Sequence, residues 1–119
     1  MYKLLEMVGG NVIREHPLSG ECFRIGRNPG NDLQPDEPSV SGNHATITIV
    51  PIEFLDDAQE IVVEDLGSTN GTLVNGQRIK EKRLKHGDLL TMGALHFKLV
   101  DEEALALGGT RILLEDDEL

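Results

Sequence analysis

The sequence predicts an all-β sandwich, and three observations carry that expectation. Short runs rich in β-branched residues recur about every eight to twelve positions between turn signals. The clearest of them alternate apolar and polar residues with the period of two that marks a half-buried strand. Helical periodicity is nearly absent up to Val100.

In chain order, strands are expected near 2–8, 11–15, 22–26, 44–50, 60–65, 72–75, 77–80, 88–92 and 94–100. Gly9-Gly10 marks the turn between the first two, and Asn28-Pro29-Gly30-Asn31-Asp32 breaks the chain after the third. In the fourth, Thr46-Ile47-Thr48-Ile49 alternates cleanly, with Ala45, Ile47 and Ile49 on one face. The stretch Pro51–Gln59 reads as a loop. Asn75-Gly76, between Thr72-Leu73-Val74 and Gln77-Arg78-Ile79, is a two-residue hairpin signal, because a type I′ turn needs positive φ at both positions. Gly87-Asp88 marks the next turn. In the last run Leu95, Phe97 and Leu99 share one face, while His96, Lys98 and Val100 share the other. Beyond Val100 the pattern changes: Asp101–Leu107 admits one or two turns of helix ending at Gly108-Gly109, and the acidic end after it reads as disordered or loosely docked. The expected organisation is one sandwich over 1–100 and an acidic tail over 101–119.

A chain of 119 residues makes one domain with a real core, built from Ile, Val and Leu because there are only three Phe, one Tyr and no Trp. Cys22 is the only cysteine, so no internal disulfide forms; it has no CxxC partner, and a reducing, cytoplasmic setting is expected. Residues 1–15 lack a signal-peptide pattern, and no apolar run approaches transmembrane length. The net charge of −10 argues against generic binding to nucleic acid or to an anionic membrane, which needs many Lys and Arg. Against that trend, Arg78, Lys80, Lys82, Arg83 and Lys85 crowd together. They read either as a charged edge strand and loop that discourages sheet-to-sheet aggregation, or as a positive lip for an acidic or phosphorylated ligand.

Three turn signatures hold the functional information: Gly26-Arg27, Ser41-Gly42-Asn43-His44, and Gly67-Ser68-Thr69-Asn70-Gly71-Thr72. Fixed loops supplying one guanidinium, two hydroxyls and one carboxamide suit recognition of a phosphate-bearing strand better than a reaction. Arg27 can give two parallel charge-assisted bonds to phosphate oxygens, where Lys would offer a point charge. Ser41 adds a small hydroxyl, and the Asn70 carboxamide offers donor and acceptor together for reading an extended backbone. Ser41 and His44, three apart, superficially suggest half of a hydrolase triad. No nucleophile elbow or oxyanion-hole segment accompanies them. His16, His86 and His96 lack metal-ligand spacing, and no metal or cofactor is expected.

These blocks, in this order, resemble the forkhead-associated (FHA) domain, a phosphothreonine-peptide-binding β-sandwich of the SMAD/FHA-like type. The resemblance runs from about Phe23 to Val100 through Phe23-Arg24-Ile25-Gly26-Arg27, Ser41-x-x-His44, Asp65-x-x-Ser68-Thr69-Asn70-Gly71-Thr72-x-x-Asn75-Gly76, Leu84-x-x-Gly87-Asp88 and Phe97-Lys98-Leu99. It implies about eleven strands, two more than the runs above, with the ligand on the loops at one end. It assigns Arg27, Ser41 and Thr69 to the phosphate, Thr69 also lining the hollow for the ligand threonine's methyl. It assigns Asn70 to the ligand backbone, and makes Gly26, His44 and Gly71 structural, His44 as a buried brace. Ser39 and Val40 lie where relatives tune the choice of flanking residue. Gly42 departs from the pattern: that position often carries a side chain able to reach the phosphate, and here only a backbone N–H is available.

The resemblance implies a signalling adaptor that recognises a partner phosphorylated by a Ser/Thr kinase, either as a small stand-alone bacterial protein or as an excised domain. The alternative is a phosphate-independent scaffold or assembly subunit that keeps the fold; no enzymatic activity is expected. A further expectation concerns Thr110, which after phosphorylation would let the domain bind its own or a neighbour's tail. The bland alternative is that the acidic tail serves solubility.

Overall fold

The computed structural model describes residues 2–52 and 59–102 and is a β-sandwich. Ten strands are present among the described residues: β1 (Tyr2–Val8), β2 (Asn11–Pro17), β3 (Cys22–Ile25), β4 (Ala45–Pro51), β5 (Gln59–Asp65), β6 (Thr72–Val74), β7 (Gln77–Ile79), β8 (Glu81–Leu84), β9 (Leu89–Met92) and β10 (Leu95–Asp101). One sheet has the order β2-β1-β10-β9-β6-β7 and the other β3-β4-β5-β8, every neighbouring pair antiparallel. Asp101 ends β10, and the rest of the expected helical turns over Asp101–Leu107 from residue 103 onward, with the tail carrying Thr110, lies outside the described residues, as do residues 53–58 of the expected loop.

The two inner faces meet in a core whose largest fully buried side chains include Phe97, Leu4, Ile25, Ile47, Ile61, Leu90, Met92 and Leu99. Alternation puts them there: Ala45, Ile47 and Ile49 of β4 point inward while Thr46 and Thr48 are half-buried, and Phe97 and Leu99 of β10 do the same. Val100 is buried too, on the face that alternation assigns to solvent. It lies opposite Lys3 of β1, whose stem runs along the sheet while Nζ bonds Glu15 at 2.7 Å.

The hairpin at Asn75-Gly76 is built as expected, with φ of 50° and 84° at its two central residues. The strand missed by the sequence reading is β8. Three of its four residues are charged, so no apolar alternation betrays it, yet it pairs with β5 along the edge of the second sheet. The chain therefore crosses from the edge of one sheet, β7, to the edge of the other, β8, across Lys80 alone. No helix among the described residues is long and apolar enough to cross a membrane.

Strand register fixes where the loops emerge. Ile25, Ala45 and Asp65 stand side by side at one end of the second sheet. Ile79, Thr72, Met92 and Leu95 do so in the first. The connections 26–44, 66–71 and 93–94 leave from these residues and meet at one end of the sandwich.

Candidate functional site

The 26–44 connection begins at Gly26, and only glycine fits there. A Cβ on Gly26 would lie 2.2 Å from the Gly42 carbonyl oxygen, closer than any side chain can approach a backbone atom. That proximity lets the two ends of the loop run together: Arg27 N–H donates to Ser41 O at 3.1 Å, and Asn28 N–H to Gly42 O at 3.0 Å. Asn31 Nδ2 closes the turn by donating to the carbonyls of Asn28 and Gly42, both at 3.0 Å.

Arg27 and Ser41 are thus neighbours across a pinched loop. Arg27 Nε donates to Val40 O, which aims the guanidinium with its least useful nitrogen and leaves the two terminal amino groups out of that bond. Ser41 Oγ accepts from Thr69 N–H at 3.0 Å. Its proton is not consumed by that bond, so the hydroxyl keeps a donor for an anion.

His44 is fully buried and uses both ring nitrogens. Nδ1 accepts from Ser41 N–H at 3.0 Å, which puts the ring proton on Nε2, and Nε2–H donates to Gly71 O at 2.9 Å. One imidazole thereby ties the serine loop to the 66–71 loop. With no nitrogen left over it has no capacity to act as a general base on Ser41.

The 66–71 loop is wound around Asp65. Its carboxylate accepts from the amides of Gly67 and Ser68 at 2.9 and 3.1 Å, and from the hydroxyls of Ser68 and Thr72. Burial opposes ionisation, but the hydroxyl bonds from Ser68 and Thr72 and the two amides outweigh it, and the Asp65 carboxyl is held below the ordinary range. Ser68 Oγ in turn accepts from Gly71 N–H at 3.0 Å. Gly71 sits at φ +83°, a conformation that suits glycine. The loop so formed presents Thr69 and Asn70 at the surface.

A family profile for the FHA domain matches residues 23–93. The chain belongs to the FHA domain family. Among solved FHA structures, that of the FHA domain of CT664 protein from Chlamydia trachomatis superposes with a TM-score of 0.70 at 30% identity, covering 84% of this chain and 96% of that one. Mycobacterium tuberculosis EmbR, solved in complex with a low affinity phosphopeptide, superposes with a TM-score of 0.70 at 31% identity, over 83% of this chain and 24% of that one. The glycogen accumulation regulator GarA of Mycobacterium tuberculosis is 33% identical over 96 residues, which are 75% of this chain and 54% of GarA. The ATP-binding/permease protein Rv1747 of the same organism is 35% identical over 94 residues, 76% of this chain but 10% of that protein. The chain thus spans about half, or far less, of the curated relatives it matches.

Within this FHA fold, Arg27, Ser41, Thr69 and Asn70 are brought together, and Gly26, His44 and Gly71 form the frame that holds them. Asn70 is not idle: Nδ2 donates to Ser39 O at 2.7 Å. The two residues expected to tune flanking choice have neighbours of their own. Val40 is fully buried, so its side chain does not reach a ligand; its carbonyl orients Arg27. Ser39 is used up internally. Its hydroxyl donates to Glu37 at 2.7 Å and accepts from Ala94 N–H at 2.8 Å, its amide bonds Glu37 at 2.9 Å, and its carbonyl takes Asn70. The Ser39 hydroxyl and amide hold the Glu37 carboxyl below its usual range.

The space that a side chain at Gly42 would fill is already taken. The Asn28 carboxamide lies 2.7–2.9 Å from where a Cβ on Gly42 would be. The missing side chain of the serine loop is thus replaced, in space, by an amide from the arginine side of the loop. Sequence reasoning passed over Asn28, Asp65 and Ser68. Asp65 and Ser68 lay inside the recognised motif, and Asn28 lay beside Arg27, so the signal for each was adjacency to a residue already chosen.

Proposed function

We propose that this FHA domain binds phosphothreonine peptides and serves as a signalling adaptor for partners phosphorylated by a Ser/Thr kinase. FHA domains are phosphopeptide-binding interaction modules, and EmbR has been solved with a phosphopeptide bound. The observation that carries the reading is the coupling of Arg27, Ser41 and Thr69. The Arg27 guanidinium is aimed by Val40 O through Nε alone, and the Ser41 hydroxyl accepts from Thr69 N–H while retaining its own proton. A dianionic phosphate placed between them gains charge-assisted bonds from groups already ordered, so little side-chain entropy is lost on binding. Thr69 borders the ligand threonine's methyl, and Asn70 exchanges its Ser39 bond for one to the ligand backbone. The role is recognition without catalysis, in the cytoplasm, with neither nucleic acid nor membrane as partner.

A second reading keeps the fold as a phosphate-independent scaffold. What favours it is that Asn70 already gives one of its amide N–H donors to a partner within the chain and Gly42 lacks a reaching side chain. One peptide prepared with phosphothreonine, phosphoserine and threonine separates the two. The adaptor reading expects phosphothreonine to bind tightest, phosphoserine about fourfold weaker from one methyl, and threonine not measurably. It expects Arg27→Ala to abolish the difference between phosphorylated and unphosphorylated forms. Equal affinity for all three peptides, or an Arg27→Ala variant that binds like the parent, supports the scaffold instead.

A further inference from the structure

Arg78 opens the basic stretch, on strand β7 of the β6–β7 hairpin, and its side chain has a defined seat. It stands on β7 opposite Leu73, at an exposed position. From there it folds onto the binding loop: a Cβ on Gly71 would lie 2.6 Å from Arg78 Nε, 2.9 Å from Cζ and 3.2 Å from Cδ. The guanidinium therefore occupies the space that any side chain at position 71 would fill, one residue beyond Asn70. The glycine serves two needs at once, a positive φ and a seat for a cation.

Among the described residues Arg78 has no hydrogen-bonding or ion-pairing partner. A few other cations do: Arg83 pairs with Glu60 at 3.3 Å, and Lys3 with Glu15 at 2.7 Å. A guanidinium packed against backbone with its donors unclaimed is prepared for a planar oxyanion, which it can hold with two parallel bonds. Lys80 stands close by: its carbonyl accepts from Asp65 N–H at 2.8 Å, and its exposed side chain adds positive potential at the same end of the molecule. This local field matters because the whole chain, at −10, repels an acidic ligand, and only charges within about 8 Å of a contact escape screening at physiological salt.

We propose that Arg78 determines specificity by binding an aspartate or glutamate side chain that flanks the phosphothreonine in the ligand. The proposal rests on the phosphopeptide reading above. The two residues expected to tune flanking choice are closed off, Val40 by burial and Ser39 by its own hydrogen bonds. Arg78 is the cation seated on the loop that carries Thr69 and Asn70, so an extended ligand held by Asn70 passes it within a residue or two.

The test is a phosphothreonine peptide in which aspartate, asparagine and phosphoserine are walked in turn through the flanking positions, titrated by fluorescence anisotropy against the full chain and its Arg78→Ala, Arg78→Lys and Arg78→Glu variants. At one position aspartate binds about threefold or more tighter than asparagine in the parent. Arg78→Ala brings that ratio to about one, Arg78→Lys restores it in part, and Arg78→Glu inverts it, while all three retain the preference for phosphothreonine over threonine. Phosphoserine gaining much more than aspartate at that position reassigns the contact to a second phosphate and overturns the carboxylate assignment. An aspartate-to-asparagine ratio unchanged by Arg78→Ala overturns the role of Arg78. Loss of phosphate dependence in the parent is a different outcome, and refutes the phosphopeptide reading itself.

Discussion

Strand β2 has the backbone of a strand and the 26–44 loop does not, yet the loop is the one tied in more directions. β2 is an edge strand that pairs only with β1, through a register shift between Glu6 and Met7, and exposes Val12 and Ile13. Its side chains are held at its end by a hydrogen bond between His16 and Glu6 and an ion pair between Glu15 and Lys3. The loop is tied in several directions: to itself through Arg27, Asn28 and Asn31, to the 66–71 loop through His44, Ser41 and Ser39, and to the β9–β10 turn through Ser39 and Ala94. Rigidity here follows from where buried polar groups find partners, not from regular backbone. A binding site made of loops gains from that, because its donors are ordered before the ligand arrives.

The sharpest way to break this contrast is at His44. His44→Ala removes two bonds and leaves Ser41 N–H and Gly71 C=O without partners beside a new cavity, for an expected loss of about 3 kcal/mol in denaturant unfolding. Peptide binding should fail in the same variant at temperatures where it remains folded. A smaller effect is expected at Asp65. Asparagine cannot accept all of the donors that converge on the carboxylate, so Asp65→Asn should cost about 1–2 kcal/mol. Because the folded carboxyl is more acidic than the unfolded one, its contribution is complete above the unfolded value of about 3.9 and is lost as pH falls through the lower folded value. The parent should therefore lose stability more steeply than Asp65→Asn as pH falls below about 4, measured by thermal unfolding across that range. The least effect belongs to β2: Val12→Thr should change stability by less than about 0.5 kcal/mol and leave peptide affinity untouched. A β2 substitution that cost as much as His44→Ala would erase the distinction.

The contrast also explains what the sequence could reveal. β4 and β10 were legible because a strand with one buried face writes its period into the residue order, and the Asn75-Gly76 turn because its φ values admit few residues. β8 was hidden, since an edge strand made of Glu, Lys and Arg looks like a loop until its partner β5 is known. The candidate residues Arg27, Ser41, Thr69 and Asn70 were chosen through motif spacing, and the fold brings them to one end of the sandwich. What was not legible is which neighbours use up their hydrogen bonds. The Ser39 hydroxyl, expected near the ligand, accepts from the amide of Ala94, 55 positions away. Val40, expected there too, is fully buried. Arg78 was visible only as one of five crowded cations, because its seat on Gly71 depends on how the hairpin folds back against the 66–71 loop. Long-range packing decided each of these, and local sequence carries little trace of it.

A phosphate is expected to be received by a loop end already braced by His44 and Asp65. The most direct test follows backbone amide resonances residue by residue while a phosphothreonine peptide, and then its unphosphorylated form, is added. The predicted result is that Arg27, Ser41, Thr69 and Asn70 shift with the phosphorylated peptide alone, while Asn11–Pro17 of β2 stay unmoved. Equal shifts with both peptides, or shifts centred on β2, would contradict it.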